Sequence, residues 1–189
     1  MSYKSKKAII SVVLGSLIAG MSFQSTAFAA AADRGKKGVM GTATCGGTYF
    51  IGNGGTEIQR VNYILRNVSD VGPIYIDRVR VFNAQGTAIF DSDVSSIPAS
   101  RNNIINAADN SIEPRQSANL RIVDLIPTQG RNTRPLQAVI NWSADEPVLT
   151  LEATGVRTTA AYDSATGAIG PQRGRHSNGC RTTKLKKRY

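Results

Sequence analysis

The sequence predicts an all-β fold, two antiparallel sheets packed as an immunoglobulin-like sandwich of about seven strands. Three observations carry this. Short segments rich in Val, Ile, Leu and Tyr alternate in polarity. Gly, Pro, Asn, Asp and Ser separate them at short intervals. No stretch of the body sustains the 3.6-residue periodicity of an amphipathic helix. A partly open barrel is the alternative closure for the same strands.

The series opens at Thr48–Ile51 and continues through Ile58–Asn67, where Val61, Tyr63 and Leu65 share one face and Asn62, Ile64 and Arg66 the other. A turn over Ser69–Pro73 leads into Ile74–Phe82. There the apolar parity slips from Ile74 and Ile76 to Val79 and Val81, which predicts a bulge near Asp77 and Arg78. Asn83-Ala84-Gln85-Gly86 reads as a hairpin connection, with Gly86 free to take positive φ before the return strand Thr87–Phe90. Asp91–Asn110 reads as a loop with one short strand at Asn103–Ile105. Ala118–Val123 alternates again, and after a polar loop through Pro127, Gly130 and Pro135 comes the clearest strand, with Leu136, Ala138, Ile140 and Trp142 on one face. The core is expected to centre on Trp142. Val148–Thr158 completes the set, with Gly155 as a bulge or edge feature. Arg66, Arg78, Arg80 and Arg121 read as charges that guard exposed edges.

Tyr49 and Gly52, then Tyr63-Ile64-Leu65-Arg66-Asn67, Val79–Asn83 with Gly86, Gly130, Val139-Ile140-Asn141-Trp142-Ser143-Ala144 and Glu152-Ala153 together resemble a family of small secreted bacterial β-domain proteins of unknown function. The resemblance spans roughly Tyr49–Thr158, with 91–115 departing from the pattern. It implies a small exported β domain and no enzymatic activity.

The organisation expected along the chain is a signal peptide over 1–29, a flexible N-terminal segment over 30–46, the sandwich over 47–162 and a basic C-terminal tail over 163–189. Lys4, Lys6 and Lys7 form a basic leader ahead of the apolar Ala8–Met21, which is shorter than the roughly 20 residues of a membrane span. Ala27-Phe28-Ala29 offers small residues where signal peptidase reads, so cleavage is expected before Ala30 or within the next few alanines. The mature chain is then an exported domain, periplasmic or extracellular, with no transmembrane segment. It is large enough to bury roughly two-thirds of its unfolded surface in a single core.

The net charge of +10 resides in the ends. The signal removes three lysines, leaving 20 basic residues against 13 acidic ones. Arg173, Arg175, Arg181, Lys184, Lys186, Lys187 and Arg188, with no acid after Pro171, account for all of the remaining excess. Such a segment attracts polyanions by steering and counterion release. Outside the cytoplasm the partners of that chemistry are anionic polymers, membrane surfaces and acidic proteins, and the plain alternative is a solvated tail. Cys45 and Cys180, the only two cysteines, are expected to pair in an oxidising compartment and pin the tail to the N-terminal edge, leaving 181–189 free. Free thiols or an intermolecular bridge are the other readings.

Catalytic chemistry is sparse. The sole histidine, His176, lies among arginines, and no Gly-x-Ser-x-Gly occurs. Asp91 and Asp93 are a weak candidate metal site, an oxygen-rich turn without the glycine and distal glutamate of an EF-hand. Asp145-Glu146-Pro147 reads as a hairpin connection. The glycines at 46–47 and 52–55 lack the Gly-Lys-Ser/Thr of a phosphate loop. Asn67-Val68-Ser69 and Asn141-Trp142-Ser143 match the N-glycosylation sequon by chance. No catalytic residue and no cofactor is expected. The reading favoured is an exported non-enzymatic binding or accessory module of the envelope or secretome. A structural subunit of a surface fibre or matrix and a hydrolase with an unrecognised carboxylate site are the alternatives.

Overall fold

A computed structural model describes residues 38–47, 49–93, 110–126, 134–146 and 149–185. The expected signal peptide, the strand at 103–105, Pro127, Gly130 and the last basic residues Lys186, Lys187 and Arg188 lie outside them.

Two antiparallel sheets pack face to face, as the sequence predicts. The strands are β1 (Val39–Gly46), β2 (Phe50–Gly52), β3 (Glu57–Asn67), β4 (Ile74–Asn83), β5 (Ala88–Asp91), β6 (Ser111–Ile112), β7 (Ser117–Arg121), β8 (Pro135–Ala144), β9 (Leu151–Tyr162), β10 (Ile169–Gly179) and β11 (Arg181–Leu185). The first sheet runs β11-β1-β8-β4-β5, with β6 also on β4. The second runs β10-β9-β3-β2, with β7 also on β3. One helical turn, α1 (Ile122–Leu125), ends β7 early and buries Ile122 and Leu125.

Eleven strands form among the described residues, against about seven expected, and the sandwich runs from Val39 to Leu185 rather than over 47–162. Of the segment expected to be flexible, Val39–Gly46 is in fact β1, hydrogen-bonded to β8 on one side and β11 on the other. It alternates Val39, Gly41, Ala43 and Cys45 towards the core. Gly41 shows why small residues are needed here, because a Cβ at this position would lie 2.3 Å from the Trp142 indole. Trp142 is fully buried, beside Ile76 across the strand pair, and is the largest fully buried side chain of the one core cluster that also holds Tyr63, Leu120 and Ile140. Leu136, expected on the same face as Trp142, is instead 39% exposed.

The slip in β4 is real. Ile76 faces Trp142 and Arg78 faces Asn141, leaving Asp77 as the extra residue, with its Oδ1 accepting from the Ser143 hydroxyl at 2.8 Å. Asn83–Thr87 is the expected hairpin, with Gly86 at φ 79°. Other expectations need correction. β8 and β9 lie in different sheets, so Asp145–Glu146 leads a crossing between the sheets, not a hairpin. Gly155 makes no bulge; its bare Cα lets β9 approach β1, where a Cβ would meet the Gly46 carbonyl at 3.2 Å. Arg66, Arg78 and Arg80 stand on the central strands β3 and β4, not on edges.

Asn67 holds the crossing from β3 to β4. Its Nδ2 donates to the carbonyls of Gly72 (2.8 Å) and Ile112 (2.9 Å), and its Oδ1 accepts from the Ser69 amide (3.1 Å). It is 1% exposed, a structural amide rather than a glycosylation site.

Candidate anion-binding ridge

Within the segment expected to be a tail, Ile169–Gly179 and Arg181–Leu185 are strands. Asp163-Ser164-Ala165-Thr166-Gly167 supplies the turn that starts them. The Asp163 carboxylate accepts from the Ala165 amide (2.9 Å) and the Thr166 hydroxyl (2.7 Å), and Gly167 takes φ 72°. These bonds, the Thr166 hydroxyl foremost, hold the Asp163 carboxyl below the usual carboxylate range. From this turn β10 returns along β9 for eleven residues. At Cys180 the chain leaves the second sheet and continues as β11 on the edge of the first, pairing Thr44 with Arg181 and Met40 with Leu185. Arg181–Leu185 is therefore ordered against β1, not free as expected.

Cys45 and Cys180 form the expected intramolecular disulfide, with an S–S distance of 2.07 Å. Cys45 is fully buried in β1 and Cys180 sits at the switch, where its amide donates to the Ala153 carbonyl at 2.9 Å. The bridge thus joins the two sheets at the point where the chain passes between them.

Arg173 and Arg175 on β10 and Arg181 and Lys184 on β11 now lie on consecutive paired strands, all exposed, with Arg181 beside Thr44 and Lys184 beside the core-facing Gly41 on opposite faces of β11. Arg173 is the extra residue of a bulge between Gln172 and Gly174. Nearly every side chain of β10 is exposed, on both faces of the strand, because β10 packs under no other element along its length. Among the described residues no carboxylate pairs with Arg173, Arg175 or Arg181. Register brings in two arginines that sequence spacing did not reveal. Arg175 faces Thr158, which faces Arg60, so Arg60 joins the outer surface of the ridge. His176 faces Arg157, which faces the buried Val61, so these two turn toward the other sheet. A row across three strands becomes visible only once the pairing is known.

The weak metal candidate is already occupied by a protein cation. Arg78 donates from Nε and Nη2 to Asp91 (2.9 and 2.6 Å) and lies 2.7 Å from Asp93 through Nη1. This fork, the Arg78 hydrogen bond above all, holds the Asp91 carboxyl below its ordinary value. The guanidinium supplies the positive charge that calcium would have brought. Asp70 is similarly held low by its hydrogen bond from Arg115. Among the described residues no three His, Cys, Asp or Glu gather as a metal set, and no helix is long and apolar enough to cross a membrane.

The chain matches no family model, no curated protein and no solved structure.

Proposed function

We propose that this chain is an exported, non-enzymatic binding module whose β10–β11 ridge holds a linear anionic polymer. One observation carries the reading: Arg173, Arg175 and Arg181 lie on two consecutive paired strands, exposed, and no described carboxylate forms an ion pair with them. From Arg173 on β10 to Lys184 on β11 the extended chain covers up to about 35 Å, so the cations are strung out along it rather than gathered in a cluster. A line of charges suits an extended chain such as an acidic polysaccharide. Export is supported by the leader at 1–29, by the resemblance to small secreted domains and by the disulfide, a bond that persists in oxidising compartments.

The test is binding of the oxidised, leaderless chain to polyuronate, heteropolymeric DNA and anionic vesicles at several salt concentrations. Four cations in contact predict a log–log salt slope of about −3 at roughly 0.7 per charge. The combined R173S/R175S/R181S/K184S variant is expected to lose at least tenfold in polyuronate affinity while keeping its thermal midpoint. Unchanged affinity in the folded variant sinks the reading, and so does tight binding to vesicles alone.

A further inference from the structure

The outer face of the second sheet carries its side chains in rows that run across β10, β9 and β3. Val61, Tyr63 and Leu65 turn fully buried side chains to the core, so Arg60 and Asn62 stand on the other face of β3. Register continues that face from strand to strand. Arg175 lies beside Thr158 and Thr158 beside Arg60, and the next row reads Ser177, Val156, Asn62 and Arg121. Arg175 is exposed and Arg60 half-buried, and among the described residues no carboxylate pairs with either. Arg121 differs, because Asp124 lies 3.4 Å from it. Among the described strand positions of this face the one carboxylate is Glu152, opposite Arg66 toward the far end of β3.

Neighbouring strands lie about 4.8 Å apart, so the backbones that carry Arg60 and Arg175 are about 9.6 Å apart, with Thr158 midway. A pyranose unit advances an extended glycan by roughly the width of one strand. Laid across the strands, three consecutive units therefore sit over Arg175, Thr158 and Arg60. In an extended ribbon with a twofold screw, alternate units turn the same substituent to the same side. The acids of the first and third unit then point down together, and an arginine fork holds each carboxylate by two parallel hydrogen bonds. The two rows hold hydroxyl and amide side chains but no aromatic one, which offers partners to a glycan's hydroxyls and no stacking platform to a nucleobase.

We infer that Arg175 and Arg60 form a two-point clamp for an acidic glycan that crosses the strands, gripping the carboxylates of two units separated by one, with Thr158 beneath the middle unit. The inference rests on the polymer-binding reading: the ridge gathers the polymer, and the clamp sets its direction over the sheet and the charge spacing it accepts.

The experiment uses the full leaderless, oxidised chain labelled with 15N and titrated at low salt with two trisaccharides of the same building blocks. Glucuronate–N-acetylglucosamine–glucuronate carries two acids separated by one unit, and N-acetylglucosamine–glucuronate–N-acetylglucosamine carries a single acid. Digalacturonate supplies two acids on adjacent units, and a thymidine trinucleotide supplies phosphates. The two-acid trisaccharide is expected to shift the amides of Arg60, Thr158 and Arg175, and to bind at least tenfold tighter than the single-acid trisaccharide or digalacturonate. Arg60→Ser and Arg175→Ser should each bring it down to the single-acid level with the thermal midpoint kept, while Arg66→Ser on the same face should leave it unchanged. Equal affinity for the two trisaccharides, digalacturonate binding as tightly, tighter binding of the trinucleotide, or unchanged affinity in both folded clamp variants overturns the inference. The two readings fail separately. A chain that binds polyuronate with an affinity that Arg60→Ser leaves unchanged loses only the clamp. One that binds the two-acid trisaccharide on this row, and whose polyuronate affinity survives R173S/R181S/K184S, loses only the ridge.

Discussion

At the scale of single residues, Gly41 and Asn67 decide more than their chemistry advertises. The missing side chain of Gly41 is the space in which the Trp142 indole lies. Gly41→Ala must displace that ring or β1, and overpacking of this kind costs about 1–3 kcal/mol. The expected result is a lower urea midpoint and a red-shifted emission from the single tryptophan. Asn67 serves two carbonyls and one amide from a site that water does not reach. Asn67→Ala leaves those groups unpaired, at a cost of about 1–3 kcal/mol for a buried group so stranded. Asn67→Asp, which keeps the acceptor and loses both donors, should be no more stable than the alanine variant; the comparison is made by chemical denaturation at pH 7.

At the scale of elements, the disulfide ties β1 to the switch between β10 and β11. Closing a loop of 135 residues constrains the unfolded chain by about 5 kcal/mol in the chain-entropy account. Reduction, or the double Cys45→Ser and Cys180→Ser change, should lower stability by up to that amount, read from the urea midpoint. Hydrogen exchange should show β11 losing protection before β3 and β9. The edge formed by β10 is also guarded against self-association: Pro171 lacks an amide hydrogen, two register shifts interrupt the strand, and Arg173 and Arg175 repel a second copy.

The elements also mark what was legible in the sequence. β3, β4, β7 and β8 were readable because large apolar residues alternate in them, and even the bulge at Asp77 followed from the parity of Ile76 and Val79. β1 was missed because its inward positions beside Trp142 are Gly41, Ala43 and Cys45, too small to register as an apolar face. β10 was missed for a different reason. It has no buried face, so alternation cannot occur, and it is held by backbone bonds to β9. The turn at Asp163–Gly167 was the available clue. Of the candidate sites, the basic residues and the cysteines were visible in composition. Arg60 and Arg157 were not, because cross-strand neighbours lie about a hundred positions apart in the chain. The crossings between sheets at 69–73 and 145–150 were equally hidden, since a turn signal says that the chain bends and not which sheet it enters.

At the scale of the whole molecule, its acid response follows from three carboxylates. Asp70, Asp91 and Asp163 all titrate lower in the fold than in the unfolded chain. A depressed carboxyl contributes stability that is present above its unfolded value, about 4, and is lost as pH falls through the folded value. The thermal midpoint should therefore hold near neutrality and decline below about pH 4. In Asp91→Asn the deficit against the parent should be largest near pH 7 and shrink as the solution is acidified. A deficit constant with pH would show that Arg78 does not hold the charge. The decline should also be shallower in high salt, because Asp70 and Asp163 are exposed and screened.

The pairing of Met40 with Leu185 places both ends of the described chain side by side at one corner of the sandwich. A load applied between those ends would not shear the sheet. It would open β1 from β11 one residue pair at a time, from Leu185 toward Arg181, the least resistant geometry a strand pair offers. Five pairs on, the tear would reach Cys45 and Cys180 and stop at a covalent bond. The disulfide is thus a mechanical arrest as well as a thermodynamic brace: the parting of β11 from β1 would end at it. The rest of the ridge would keep its pairing with β9 under tension.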